Sequence, residues 1–357
     1  MPIKYLGSKR RLVGVIGELF SAAGGRTALD LFTGTTRVAQ ELKQRGGFVT
    51  AVDRARYAAV FAQSAIATDA TALDLGALDD ELAALDALAP RPGYVTETFC
   101  HRARYFRPEN GARIDAIRDA LEDRRHHPHF PVLLTSLIEA ADRVDSTTGV
   151  QMAYLKDWAP RAHNRMTLRR PDLLPGPGVA RRADACELAA AGLGPFDFAY
   201  LDPPYNQHRY EANYHVWETL VAWDAPEHYG VACKRSELAD REVTSVFNRR
   251  RLMPVALGEC IAGIDATVMV VSYNDESWVG LDELVDLCRP RGAVEVLAFD
   301  SRRYVGALIG VHNPAGRRVG TPNRLHNVEY LVVSGAPADV DRTIAGASSG
   351  VTAAGSG

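Results

Sequence analysis

Only five cysteines occur in 357 residues, and Cys100, Cys186, Cys233, Cys260 and Cys288 lie far apart. No CxxC pair exists, which excludes a zinc ribbon and a disulfide framework and points to a reducing cytoplasm. No apolar run reaches the roughly 18 residues of a membrane-spanning helix. The opening MPIKY runs straight into charged sequence, without the apolar stretch of a signal peptide. Charge of one sign is also scarce. The formal net charge is -3, so the chain is no polycation, and any nucleic-acid contact needs a local patch.

What is present is the composition of a globular protein, 46% hydrophobic and 24% charged. Residues 91–182 hold 16 Lys+Arg against 11 Asp+Glu, with five histidines, and residues 301–324 hold five arginines and no acid. An isolated charge run is most often a solvated face. Residues 27–32 (TALDLF) predict a buried strand that ends in the turn Thr33-Gly34-Thr35. A helix over 36–45 is closed by Gly46-Gly47, followed by a strand at 48–53 and a helix at 54–67. This order implies parallel strands joined by right-handed crossovers. Helical patterns at 71–89, 110–125 and 131–144, then a Pro/Gly-rich linker at 168–178, predict a helical insertion over 70–175. It divides a catalytic domain of residues 1–69 and 176–335. Strands are expected at 178–184, 196–201 and 267–272, with an antiparallel hairpin from 293–299 and 328–333. The Ala/Gly/Ser-rich tail, 336–357, is expected to be disordered.

The most informative segment is LDPPYN, residues 201–206, at the carboxyl edge of a predicted strand, where open α/β sheets bind ligands. Pro203 and Pro204 fix the backbone and remove two N–H donors, leaving carbonyl acceptors. Asp202 adds a carboxylate and Tyr205 a flat ring. A planar amine on an aromatic base fits this set. The Asp202 carboxylate and Pro203 carbonyl can bind its two hydrogens and free its lone pair for attack on the sulfonium methyl of S-adenosylmethionine. Tyr205 can stack on a base that has left the duplex. Taken alone, DPPY is equally a tight turn at a strand end.

Two further segments provide context. In ALDLFTGTT, residues 28–36, a strand, a glycine turn and a helix start make a ligand cradle, and Gly34 allows close approach. Asp53 ends the next strand, about 20 residues on, suited to ribose hydroxyls, with a plain helix cap as the alternative. In IKYLGSKRR, residues 3–11, Lys9 can pair with a methionine carboxylate and Tyr5 can pack beside the ligand; the alternative is a solvated basic terminus.

In this order KYLGSKRRL, DLFTGTTRVA, AVDRA, RADACEL and LDPPYN resemble the Dam-like alpha group of adenine-specific DNA methyltransferases, over residues 2–335. The resemblance implies an α/β, Rossmann-like S-adenosylmethionine-dependent methyltransferase fold with a mostly parallel seven-stranded sheet and a helical target-recognition insertion. It implies methyl-donor contacts at Tyr5, Lys9, Asp53 and Asp202, with Gly7 and Thr35 beside them. Asp30, Phe32 and Gly34 match the donor loop, and Asp184 a neighbour of the donor's adenine. Asp202, Pro203, Pro204 and Tyr205 match the catalytic loop. One departure is Thr36, where many relatives carry a second glycine; altered donor contacts are expected there, not loss of binding.

Residues 210–217 (YEANYHVW) and Ser272-Tyr273-Asn274 are expected to wall the base pocket, with core packing favoured for Trp217. Arg302, Arg303, Arg317 and Arg318 are candidates to grip phosphates. His126, His127 and His129 read as an exposed polar loop, and the chemistry needs no metal. The expected activity is site-specific methylation of adenine in duplex DNA, for restriction–modification or epigenetic marking. The expected enzyme is a cytoplasmic monomer without membrane contact, with a cognate restriction endonuclease as candidate partner. Transfer to the cytosine exocyclic amine, and a non-catalytic DNA-binding module of the same fold, are the alternatives. Methylation at cytosine carbon 5 requires a nucleophilic cysteine, and no Pro-Cys pair occurs.

Overall fold

Apolar strands alternating with helices build one sheet from the two ends of the chain. The computed structural model describes residues 3–5, 7, 9–204, 209–240, 244–302, 311–312, 318–320 and 326–354. The strands of its main sheet are β1 (Thr27–Asp30), β2 (Phe48–Asp53), β3 (Gly178–Arg182), β4 (Leu193–Leu201), β5 (Ile264–Asn274), β6 (Ala293–Arg302) and β7 (His326–Gly335), beside short two-stranded pairs that include Arg318–Gly320. They lie side by side in the order β3-β2-β1-β4-β5-β7-β6. All neighbours from β3 to β5 are parallel, and β7 runs antiparallel to both β5 and β6. This is the mostly parallel seven-stranded, Rossmann-like sheet that the sequence implied. In the middle, Phe198 to Leu201 and Val268 to Val271 are buried without interruption. Strands covered on both faces require such continuous runs.

Helices cover both faces. On one, Phe20 of α1 (Val13–Ala22) and Leu42 of α2 (Arg37–Gln44) pack against Phe198 and Val270. On the other, α7 (Ala185–Ala190), α10 (Met253–Gly263) and α11 (Leu281–Cys288) supply Ala189, Leu257 and Leu284.

The tail corrects the sequence reading. Instead of disorder, Pro337–Ala354 forms a helix, α12, whose Val340, Thr343 and Ala347 are buried at helical spacing. Arg342 donates to the Ala23 carbonyl at the end of α1. A Cβ on Gly346 would lie 2.7 Å from the Ala22 Cβ. The small residues that read as low-complexity sequence are what lets two helices approach this closely.

Between β2 and β3 lie α3 (Arg56–Ala62), α4 (Leu75–Asp86), α5 (Pro108–Glu122) and α6 (Phe130–Val144). Leu82, Ile117 and Leu137 of the last three share a core with Tyr57 and Phe61 of α3. The same core takes in Trp217 of α9 (His215–Ala222), which follows the short α8 (Tyr210–Asn213). Two arginines counted in the basic excess of this region are structural. Arg118 is fully buried and donates from Nε to the Leu220 carbonyl at 2.6 Å. Arg113, also buried, donates to the Met166 carbonyl and to Asp86.

Candidate active site

The loop after β1 is shaped from behind by Asp30. This buried carboxylate accepts from Thr33 Oγ1 at 2.9 Å and from the Ala39 amide at 3.1 Å. Burial pushes it up to about 7. In front, the Gly34 amide donates to Asp53 Oδ2 at 2.9 Å, and Asp53 Oδ1 accepts from the Ala55 amide at 2.9 Å. Asp53 therefore ties the turns after β1 and β2 together. Gly34 has φ +50°, and a Cβ there would stand 3.1 Å from Tyr5 Oη. Thr36 holds φ +62°, a left-handed conformation that a β-branched residue adopts only under strain.

The amino-terminal segment closes the opposite wall. Lys4 Nζ lies 3.3 Å from Asp142 and 3.1 Å from Asp145, which pins the segment to the end of α6. The Tyr5 ring stacks on both Tyr210 (centroids 5.4 Å apart) and Tyr214 (4.8 Å), which are themselves 6.5 Å apart. Tyr214 in turn stacks on Trp217 at 4.5 Å. The buried Lys9 reaches Asp202 Oδ1 at 3.2 Å and Glu329 Oε2 at 3.8 Å.

These walls enclose a cleft of about 960 Å³, open mouth included. Tyr5, Gly7, Lys9, Phe32, Gly34, Thr35, Asp53, Asp184, Asp202 and Pro204 all line it. Asp30 lies behind the wall, Pro203 is buried, and Tyr205 lies outside the described residues. Asp184 also caps α7, accepting from the Cys186 amide at 2.9 Å. Tyr210 lines the cleft, whereas Trp217 is core, as favoured. Ser272 and Tyr273 are buried, and Tyr273 Oη donates to Met253 Sδ at 3.6 Å within the core. Arg303 and Arg317 lie outside the described residues; for Arg302 and Arg318 only strand backbone is described. In the histidine loop, His129 departs from the exposed reading: it is buried, with Nδ1 3.1 Å from Glu81 Oε1.

Sequence reading missed Ser245, Phe247 and Asn248, which line the cleft. The Phe247 ring stands edge-on to Phe32 at 5.0 Å. No motif marks that segment. Glu329 was read only as part of a strand.

Burial pushes Asp202 up to about 6; the Lys9 ammonium pulls it down without cancelling that effect. Burial likewise pushes Asp53 up to about 6. For Lys9, burial favours the neutral form, but Asp202 and Glu329 outweigh it and hold Lys9 above its ordinary value. The cleft thus offers carboxylates, an aromatic pair and a glycine-lined turn whose space a Cβ would fill. A cationic ligand bearing hydroxyls and a flat ring, as S-adenosylmethionine does, fits that donor set.

The family model described as D12 class N6 adenine-specific DNA methyltransferase matches residues 5–275. The type II methyltransferase M.NlaIII of Neisseria lactamica is 27% identical over 318 residues, covering 85% of this chain and 92% of that enzyme. The type II methyltransferase M.CviAII of Paramecium bursaria Chlorella virus 1 is 29% identical, covering 87% of this chain and 95% of that enzyme. Modification methylase LlaI of Lactococcus lactis subsp. lactis is 28% identical over 85% of this chain, but the chain spans only 51% of that protein.

Proposed function

We infer the function in detail from one premise: the chain belongs to the D12 class N6 adenine-specific DNA methyltransferases. It transfers a methyl group from S-adenosylmethionine to the exocyclic amine of adenine in DNA. The observation that best supports the residue roles is the single cleft in which the Gly34 turn, Asp53 and Asp202 face one another.

When bound, S-adenosylmethionine supplies an electrophilic methyl group on a positively charged sulfur. In the proposed arrangement Asp53 would accept from the donor's ribose hydroxyls, while Phe32 and Phe247, in contact with each other, would form one apolar wall for its flat ring. Asp202 and the Pro203 carbonyl accept the two hydrogens of the target amine, so its lone pair points toward the methyl group. Lys9 favours the ionised form of Asp202. Tyr205 stacks on the extruded base.

The relatives' names supply the biological setting. Those proteins are called type II methyltransferases and modification methylases. We propose that this chain is likewise the modification half of a restriction–modification pair, acting on duplex DNA as a monomer, with the insertion between β2 and β3 reading the sequence. Among the described residues no helix is long and apolar enough to cross a membrane.

The test is to incubate the protein with labelled S-adenosylmethionine and mixed-sequence duplex DNA, then digest the DNA to nucleosides. Label is expected on N6 of adenine, and Asp202→Ala is expected to abolish it with an unchanged circular dichroism spectrum. Label on the cytosine amine would replace the adenine reading. DNA binding without any transfer would support the non-catalytic module.

A further inference from the structure

Behind the donor loop lies a second cavity of about 800 Å³, open mouth included, between the start of α2 and the side of α6. Arg10 and Arg37 both face it. Burial and then the charge of Arg10 lower the pKa of Arg37, so the two cations are close enough to repel. Arg37 Nε is buried without a hydrogen-bond partner. The Ser64 and Thr135 hydroxyls line the same space; these residues are 1% and 5% exposed, and their oxygens also lack partners. A guanidinium can only donate.

Two acids share the cavity, Glu139 and Asp172. Burial disfavours the charged form of Glu139. The charge of Asp172 raises Glu139 further, so two carboxylates stand beside the two guanidinium groups. The unpartnered groups, Arg37 Nε and the Ser64 and Thr135 hydroxyls, call for acceptor oxygens.

We propose that this cavity binds a phosphate-type oxyanion, held by Arg10, Arg37, Ser64 and Thr135. Guanidinium groups match the oxygens of phosphate in a planar, paired geometry. Two sources supply that chemistry, a phosphodiester of the DNA backbone and a free phosphate. The first rests on the reading of the chain as a DNA methyltransferase; the second does not. Thr35 and Arg37 line both cavities, so an anion held here touches the loop that shapes the donor cleft.

The experiment uses the full chain with Arg10→Gln and, separately, Thr135→Val. Arg10 is exposed, so its replacement leaves the core untouched. Duplex binding is measured across a salt series, and melting temperature in inorganic phosphate against chloride at equal ionic strength. If the backbone fills the site, Arg10→Gln flattens the salt slope by about 0.9, one phosphate contact. Thr135→Val then weakens duplex binding about threefold to tenfold, and neither changes affinity for S-adenosylmethionine. If free phosphate fills it, phosphate raises the wild-type melting temperature, both variants lose that rise, and the salt slopes stay equal. Wild-type slopes and affinities in both variants, without any phosphate-dependent rise, overturn the proposal. Absence of adenine transfer by the wild type would count against the functional reading, and the phosphate arm would still stand.

Discussion

Lys9 Nζ stands 3.2 Å from Asp202 Oδ1, a cation from the amino-terminal segment against a carboxylate from the end of β4. Long stretches of chain separate the two, and the sheet brings them to one edge of the cleft. Burial works against the Asp202 charge and Lys9 works for it, so this carboxylate titrates in a range where activity can be measured.

The pH dependence follows. Asp202, pushed up from 3.8 to about 6, accepts hydrogen bonds as a full anion only above that value. The kcat/KM for methyl transfer is expected to fall as pH drops through about 6, where Asp202 and Asp53 both take up a proton, and the Asp202 share is the part seen in kcat at saturating S-adenosylmethionine. A limb at about 3.9, the ordinary carboxylate value, would show that another group, or an unperturbed Asp202, controls the rate.

Gly34→Ala places a Cβ 3.1 Å from Tyr5 Oη on a backbone with φ +50°. An L side chain in that left-handed region costs about 1–2 kcal/mol. Weaker binding of S-adenosylmethionine by calorimetry and a lower melting temperature are expected together. Wild-type affinity would mean that the turn does not touch the donor.

Thr36→Gly is expected to act in the opposite sense. Thr36 already sits at φ +62°, and glycine adopts this region without steric cost. The unfolding free energy is expected to rise by about 1 kcal/mol, after allowing for the entropy of glycine in the unfolded chain. A fall in urea midpoint would show that the Gln40–Thr36 hydrogen bond, 2.7 Å, outweighs the strain.

Val340→Ala tests the role of α12. Val340 is fully buried against the sheet's helical cover. Truncation is expected to cost about 2 kcal/mol in urea unfolding, from lost burial and the cavity left behind. An unchanged midpoint would make α12 a loosely held tail.

Local sequence signals were strong wherever one short segment carries its own geometry. The strand–turn–helix at 27–45 and the segment from Asp202 to Pro204 were legible because glycine permits, and proline fixes, particular backbone conformations within a few residues. Tail residues misled, since Ala, Gly and Ser mean disorder in isolation and close helix packing beside α1. The basic count of the insertion did not reveal that Arg113 and Arg118 spend donors on buried carbonyls.

Local sequence was enough for the alternation of strands and helices and for the placing of Gly34, Asp53 and Asp202 at the carboxyl edge of the sheet. Folding in three dimensions was needed to place Lys9 between Asp202 and Glu329, Phe247 against Phe32, and Arg10 and Arg37 at one cavity. Backbone preference acts over neighbouring residues and can be read locally. Desolvation and charge pairing depend on which distant groups the fold brings within a few ångströms.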